Sequence, residues 1–215
     1  KIGMLTSLMD ISNSIAQNFP LDVIMKTALR NCLQRHDMTA GIVIFKDRAT
    51  HDFRIVVYEG VRDSRSLTSL RFRLGEGLVG QLILKQQTEV IDRSSAVDRA
   101  VSDFLAPFGI CNVICAPIST KGNAYGLLVT GNARERHVFS QGHKELIQLM
   151  AKHLAIAAFN DEMSREMERR VEADPLTGLF SQAYARGKLQ DEVNRSLKEQ
   201  RPCSFILVGI DLFED

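Results

Sequence analysis

The sequence has no long apolar run, no surplus of charge of either sign and no Cys-x-x-Cys pair. Its longest uncharged stretch, Phe104 to Thr120, contains Pro107, Asn112 and Pro117. That stretch falls short of the roughly 20 apolar residues a spanning helix needs. No secretory signal pattern is present either, so no membrane segment is expected. With 27 basic and 26 acidic residues the formal net charge is +1, which gives no general reason to bind nucleic acid or an anionic membrane. The four cysteines (Cys32, Cys111, Cys115, Cys203) are scattered without a Cys-x-x-Cys spacing. They read as reduced, mostly buried thiols of a cytoplasmic protein. The five histidines (His36, His51, His137, His143, His153) form no metal-spaced cluster, so no zinc or haem site is expected and no metal ligand is assigned.

What is present is ordinary globular composition, 45% hydrophobic and 25% charged over 215 residues. At about 100–200 residues per domain, that length predicts one full domain and a remainder. The chain starts at Lys1 rather than methionine and stops at Asp215 just after an apolar run, so it is expected to be a piece of a longer polypeptide. Leu5, Leu8, Ile11 and Ile15 recur at helical spacing before Pro20, and Leu21, Ile24, Ala28 and Cys32 mark a second helix. Thr39–Phe45 is almost wholly apolar and β-branched, and Phe53–Tyr58 comes next across a polar turn. A second hairpin is predicted from Asn112–Ser119, a turn at Lys121-Gly122-Asn123, and Tyr125–Thr130. Helices at both ends and hairpins between them imply an α+β domain of about 150 residues, an antiparallel sheet with helices on one face.

The cluster Leu74-Gly75-Glu76-Gly77-Leu78-Val79-Gly80 fits G-x-G-x-x-G letter for letter, with Asp92 ending a short apolar piece further on. A dinucleotide site would use such glycines to bring pyrophosphate to a helix N-terminus. The preceding segment Ser69–Arg73 alternates charged and apolar residues, whereas a strand covered on both faces in a parallel sheet reads as a continuous apolar run. The neighbouring hairpins are antiparallel and no second βαβ half is visible. A tight turn into a helix over Leu78–Gln87 is the expectation.

The segments Arg71–Asp92 (RFRLGEGLVGQLILKQQTEVID) and Gly109–Asn132 (GICNVICAPISTKGNAYGLLVTGN) resemble a GAF domain over about Leu5–Phe159. The resemblance implies a ligand pocket on the sheet face opposite the long helices, roofed by Asp92–Phe108. That roof carries Asp92, Arg93, Asp98, Arg99, Phe104 and Phe108, a mixture suited to orienting an unknown small molecule with polar and apolar parts. An irregular solvated loop accounts for it equally well. Bilin-binding GAF domains attach their chromophore through a cysteine often followed by histidine. Neither Cys111 nor Cys115 has that neighbour, and inert core thiols are expected. The asparagine–lysine–phenylalanine–aspartate–glutamate set of cyclic-nucleotide-binding members is not apparent.

From Ser140 to Ala173 there is no proline, and the only glycine is Gly142 in the first turn, so one helix of about 50 Å is predicted. Its first half is apolar. Its second half is charged, with spaced Met163, Met167 and Val171. Leu149, Ile156 and Met163 lie seven apart, a thin coiled-coil seam with His153 and Asn160 at its other positions. A solvated linker is one reading. The motif that begins at Asp174 favours the other, a parallel two-chain helix carrying a signal from a homodimeric sensor.

Asp174-Pro175-Leu176-Thr177-Gly178-Leu179-Phe180 stops the helix and restarts the chain. A helix through Tyr184, Leu189, Val193 and Leu197, then Pro202 and a strand Ser204–Ile210, are predicted. This pattern resembles the opening of a GGDEF domain, the module that makes cyclic di-GMP from two GTP molecules. Departures accompany the match. A metal-ligand aspartate of the family falls on Gly209, its lysine on Glu214, and Asn-Arg on Ser181-Gln182. Losing a carboxylate ligand weakens the cation that phosphoryl transfer relies on. Asp211, Phe213 and Glu214 remain as a nucleotide-binding remnant. The resemblance therefore implies a degenerate output domain, with an active cyclase using GTP and magnesium, or a scaffold without a GAF ligand, as alternatives. The expected division is 1–159 GAF sensor, 160–173 signalling helix with Asp174, Pro175 and Gly178 at its end, and 174–215 the truncated start of the GGDEF domain. No catalytic residue is assigned to this chain.

Overall fold

The computed structural model describes residues 9, 11–17, 19–35, 38–61, 67, 69–92, 108–120, 122–134, 137–172, 174 and 176–209. The chain divides into two compact units, Lys1–Asp161 and Glu162–Asp215. In the first, residues 11–16 are helical. After them come α1 (Leu21–Arg35), β1 (Ala40–Lys46), β2 (Phe53–Glu59), β3 (Arg71–Phe72), α2 (Gly77–Lys85), β4 (Glu89–Asp92), β5 (Asn112–Thr120) and β6 (Asn123–Asn132). Helix α3 (Gln141–Glu172) begins in the first unit and ends in the second, which also holds α4 (Gln182–Glu199).

The six strands form one sheet in the order β3-β2-β1-β6-β5-β4, and every neighbouring pair is antiparallel. Both expected hairpins are present. The central join is not local, since β1 pairs with β6 from Ala40↔Gly131 to Phe45↔Gly126.

Alternation along β1 separates two cores. Val43 packs with Ile24, Met25, Ala28 and Leu29 of α1 and with Leu146, Ile147, Met150 and Leu154 of α3. Its neighbours Ile42 and Ile44 pack with Val79, Leu82 and Ile83 of α2. Successive strand side chains point to opposite faces, so α2 lies across the sheet from α1 and α3. This corrects the expectation of helices on one face. The physical reason is that β1 and β6 read as continuous apolar runs, which a sheet with one wet face would not tolerate.

A bulge adjusts the pattern on β2. Val43 pairs with Val57 and Ile44 with Ile55, so Val56 is extra; Ile55 then faces the α2 core while Val57 faces the α1/α3 core. An inserted residue switches the face of everything after it.

Helix α3 starts with a reciprocal cap. The Ser140 hydroxyl accepts the His143 N–H at 3.2 Å and His143 Nδ1 accepts the Ser140 N–H at 3.3 Å, with histidine where a capping box usually has glutamate.

The predicted strand at Ser204–Ile210 is not formed over the described residues 201–209, which have no strand partner. Phe205 (64%), Ile206 (82%) and Leu207 (85%) are exposed. An isolated apolar segment cannot satisfy its backbone groups as a strand without a neighbouring edge.

Cys32, Cys111 and Cys115 are buried and Cys203 is exposed, all as free thiols. Burial pushes the Cys32 thiol up to about 12, and burial, reinforced by the nearby Glu89 carboxylate, raises Cys115 as well. Thiolate is the reactive form. A disulfide-exchange reagent at pH 8 should therefore modify Cys203 rapidly and Cys32 and Cys115 only on unfolding, as peptide mapping of the labelled chain would show. Rapid native labelling of Cys115 would contradict the packing.

Candidate ligand site and outlet helix

The sheet face opposite α1 and α3 is the one on which a pocket was expected. Its floor consists of Ala40, Ile42 and Ile44 of β1, Phe53 and Ile55 of β2, Val113 and Cys115 of β5, and Leu127 and Val129 of β6. None of these is more than 3% exposed. Leu67, Phe108 and Ile110 lie in the same cluster and are equally covered.

Phe108, one of the residues expected to meet a ligand, is 2% exposed and packed in this core. Asp92 ends β4, where it pairs with Asn112 of β5. Arg93, Asp98, Arg99 and Phe104 lie outside the described residues, as do Asp211, Phe213, Glu214 and Pro175. Of the predicted ligand roof, the structure therefore places two members and does not bring them together through any described contact.

A shallow groove of about 620 Å³, which sequence reasoning missed, opens at the sheet's other margin. Asp52, Arg71, Phe72, Arg73, Glu76 and Gly77 line it. The alternation of charged and apolar residues in Arg71-Phe72-Arg73 is the local signal at this margin, and β3 is the edge strand there. Nothing local in the sequence brings Asp52 to it; the antiparallel pairing of Phe53 with Phe72 does.

The glycine cluster is a turn that feeds α2. Gly75 and Gly77 have φ of +78° and +60°, a region costly for residues with a Cβ. A Cβ on Gly80 would sit 2.0 Å from the Arg73 carbonyl oxygen. That carbonyl accepts the Glu76 N–H at 3.1 Å, and the Gly75 N–H donates to the Gly80 carbonyl at 3.0 Å. All three glycines are thus accounted for by chain geometry on the edge of an antiparallel sheet, as expected from the turn reading. Among the described residues no three His, Cys, Asp or Glu side chains converge as a metal site, and no helix is long and apolar enough to cross a membrane.

Helix α3 changes character along its length. Leu146, Ile147, Met150, Leu154, Ala157 and Ala158 are buried. Ile156 (47%), Met163 (37%) and Met167 (70%) are exposed. Val171 lies near the helix end, within α3. Beyond it, Asp174 organises a turn in the second unit. Its Oδ1 accepts from Leu176 N at 3.1 Å, Thr177 N at 2.9 Å and Thr177 Oγ1 at 2.9 Å. Its own N–H donates to Leu179 O at 2.7 Å, and its carbonyl accepts the Gly178 N–H at 2.9 Å. Gly178 has φ +70°. The Thr177 donors, with a smaller part from the Leu176 amide, hold the Asp174 carboxyl below its ordinary range.

The fold of the first unit has counterparts among known proteins. A family model described as the GAF domain matches residues 20–158. Among solved structures, the GAF domain of a phosphoenolpyruvate-protein phosphotransferase from Coxiella burnetii is similar at TM-score 0.64 and 19% identity, over 77% of this chain and 98% of that one. The phycoerythrobilin-bound GAF domain of a cyanobacterial phytochrome gives TM-score 0.63 and 16% identity, over 76% and 98% of the two chains. The GAF-B domain of DevS from Mycobacterium smegmatis gives 0.55 and 15%, over 69% and 99%. At these identities the likeness concerns the fold. The uncharacterized protein YtrP of Bacillus subtilis (strain 168) is 29% identical over 107 residues, 50% of this chain and 18% of that protein. The chain therefore spans less than a fifth of the curated relative it matches.

Two outcomes test the site. Truncating a fully packed phenylalanine removes transfer energy and leaves a cavity. Phe108→Ala should accordingly lower unfolding stability by about 3–5 kcal/mol in denaturant titrations; a loss below about 1 kcal/mol would mean that the ring lines an open pocket. In the second unit, a depressed carboxyl pKa means that the folded turn binds fewer protons than the open one. The Asp174 turn should hold above the ordinary aspartate range and loosen as pH falls through the lowered folded value. The Thr177 amide shift tracked by NMR should report that midpoint below the usual aspartate value, and Thr177→Val should bring the midpoint back up.

Proposed function

The chain belongs to the GAF domain family, and from that premise we propose that it is the sensory part of a cytoplasmic signalling protein whose outlet is α3. The observation that carries this reading is the two-part character of α3. The helix is packed into the sensor as far as Ala158 and continues to Glu172 with Met163 and Met167 exposed. A helix with a thin apolar stripe and charged flanks gains little on its own. It gains by pairing with a second copy through heptad positions such as Ile156 and Met163. The module is thus a homodimer joined along its helices.

The output belongs to cyclic di-GMP signalling. Supporting this are the resemblance of Asp174–Phe180 to the opening of a GGDEF domain, directly after a long helix, and the hydrogen-bonded turn that Asp174 builds there. Gly209 and Glu214 stand where a metal-ligand aspartate and a lysine would be needed. The output domain is therefore degenerate and acts as a receiver of GTP or cyclic di-GMP rather than as their converter. An unknown small molecule on the sensor is the input. It would act by binding two helix arrangements with different affinity.

A second reading is favoured by one observation. The described floor residues opposite the long helices are no more than 3% exposed, which suits a dimerisation scaffold with no GAF ligand. Native mass spectrometry of the purified chain separates the readings: a bound small molecule supports the sensor, and bare protein with an unchanged dimer supports the scaffold. In the same sample, the chain should sediment as a dimer and Met163→Glu as a monomer. Incubation with GTP and magnesium should yield no cyclic di-GMP; turnover would overturn the degenerate reading.

A further inference from the structure

The turn between β1 and β2 holds ion pairs that reach to both sides of the sensor. On one side Arg48 bonds the Asp161 carboxylate on α3. On the other, Asp52 pairs with Arg73 at 3.7 Å. Asp161 lies three residues beyond Ala158, the last buried position among the described side chains of α3. Arg73 leads into α2, its carbonyl accepting the Glu76 N–H and lying against Gly80. Asp52 and Arg73 are also two walls of the shallow groove.

The turn that joins these two contacts is stiff. The Asp47 carboxylate accepts the Ala49 N–H at 2.9 Å and the Thr50 N–H at 3.3 Å, and it pairs with Arg54 at 2.9 Å. The Asp47 N–H donates to Asp52 O at 2.7 Å, and its carbonyl accepts the His51 N–H at 2.9 Å. His51 is left-handed at φ +62°, a conformation that non-glycine residues hold only where the surroundings impose it. The Ala49 and Thr50 amides, then Arg54, keep the Asp47 carboxyl below its ordinary range. Residues 47–52 thus form a hydrogen-bonded bridge whose side chains reach Arg73, in the segment between β3 and α2, on one side and Asp161 of α3 on the other.

We propose that the β1–β2 turn is a coupling strut, through which the groove-side contact Asp52–Arg73 governs how firmly Arg48 holds α3 at Asp161. This rests on the reading of α3 as the sensor's outlet, but it adds a specific route from one sheet margin to that outlet. Energetic coupling of this kind is defined by non-additivity, not by position between two sites. The Arg48 and Asp161 side chains are 52% and 22% exposed, so the pair is modest and salt-sensitive.

Hydrogen exchange on the full 215-residue chain tests the strut without ligand or output activity, so its failure is distinguishable from failure of the sensor reading. Arg48→Ala or Asp161→Asn should speed exchange of the α3 amides around Asp161 by about 1.4- to 5-fold, the range of an exposed ion pair. The double variant should add nothing to either. Arg73→Ala should speed the same amides in the parent chain and leave them unchanged in the Arg48→Ala background. The charge-exchanged pair Arg48→Asp with Asp161→Arg should restore protection. Additive effects of Arg73→Ala and Arg48→Ala, or no effect of Arg73→Ala on α3, would overturn the proposal. Circular dichroism on each variant confirms that the fold is retained.

Discussion

Pairing of β1 with β6 is the join on which the sensor unit depends. Gly41 meets Thr130 and Phe45 meets Gly126, so strands from opposite halves of the domain meet at its centre. The other four strands are arranged as two arms, β2 and β3 on one side and β5 and β4 on the other. The central strands are covered on both faces, and each contributes alternately to two cores. Fully burying one Ile, Leu or Val side chain stabilises by about 1.5–3 kcal/mol. The exposed ion pairs of the rim are worth about 0.2–1 kcal/mol each. The centre therefore holds the unit together, and the rim can change state without unfolding it.

That difference bears on signalling. A ligand shifts a conformational equilibrium only by its differential affinity for the two states. A displacement of β1 or β6 would disturb both cores at once and cost far more than a small molecule commonly returns. Movement is better accommodated where contacts are weak, at the two-residue β3, the glycine turn before α2, and the β1–β2 turn. These features lie together along one margin of the sheet, beside the groove. The opposite-face core, with Phe108 and Leu67 packed into it, acts meanwhile as a wall that fixes the margin's geometry.

Much of this is legible in the sequence because it is written in periodicity. Helix α1, both hairpins and the length of α3 come from apolar spacing, Pro20 and the absence of proline after Ser140. The turn role of Gly75, Gly77 and Gly80 comes from the alternating, antiparallel character of the strand before them. Counting helices and hairpins does not reveal that α2 lies across the sheet, although a sign of it is present. Gly41–Ile44 and Leu127–Val129 are apolar without alternation, and such strands require cover on both faces. The groove and the Arg48–Asp161 contact have no local signal. They depend on strand register and on side chains far apart in the chain, neither of which a single sequence displays. Of the expected ligand residues, Phe108 has the chemistry of a binding residue and the burial of a core one. An aromatic next to a glycine turn is compatible with both, and only packing separates them.

The second unit shows the same limit from another direction. Phe205-Ile206-Leu207-Val208 has the β-propensity of a strand, yet it is exposed and without a strand partner among the described residues. Strand propensity chiefly measures how well a side chain fits a pleated, half-buried surface, so it becomes a strand only where another edge supplies hydrogen bonds and another face supplies cover. The Asp174 turn needs no such partner. Its side chain is bonded by the next few residues, and it closes on itself through Thr177, Gly178 and Leu179. Local chemistry can therefore build the joint after α3 by itself, while the apolar run depends on contacts the described part of this unit does not supply. The Asp174 turn is therefore fixed by hydrogen bonds from its own neighbours, with no sheet needed to form it.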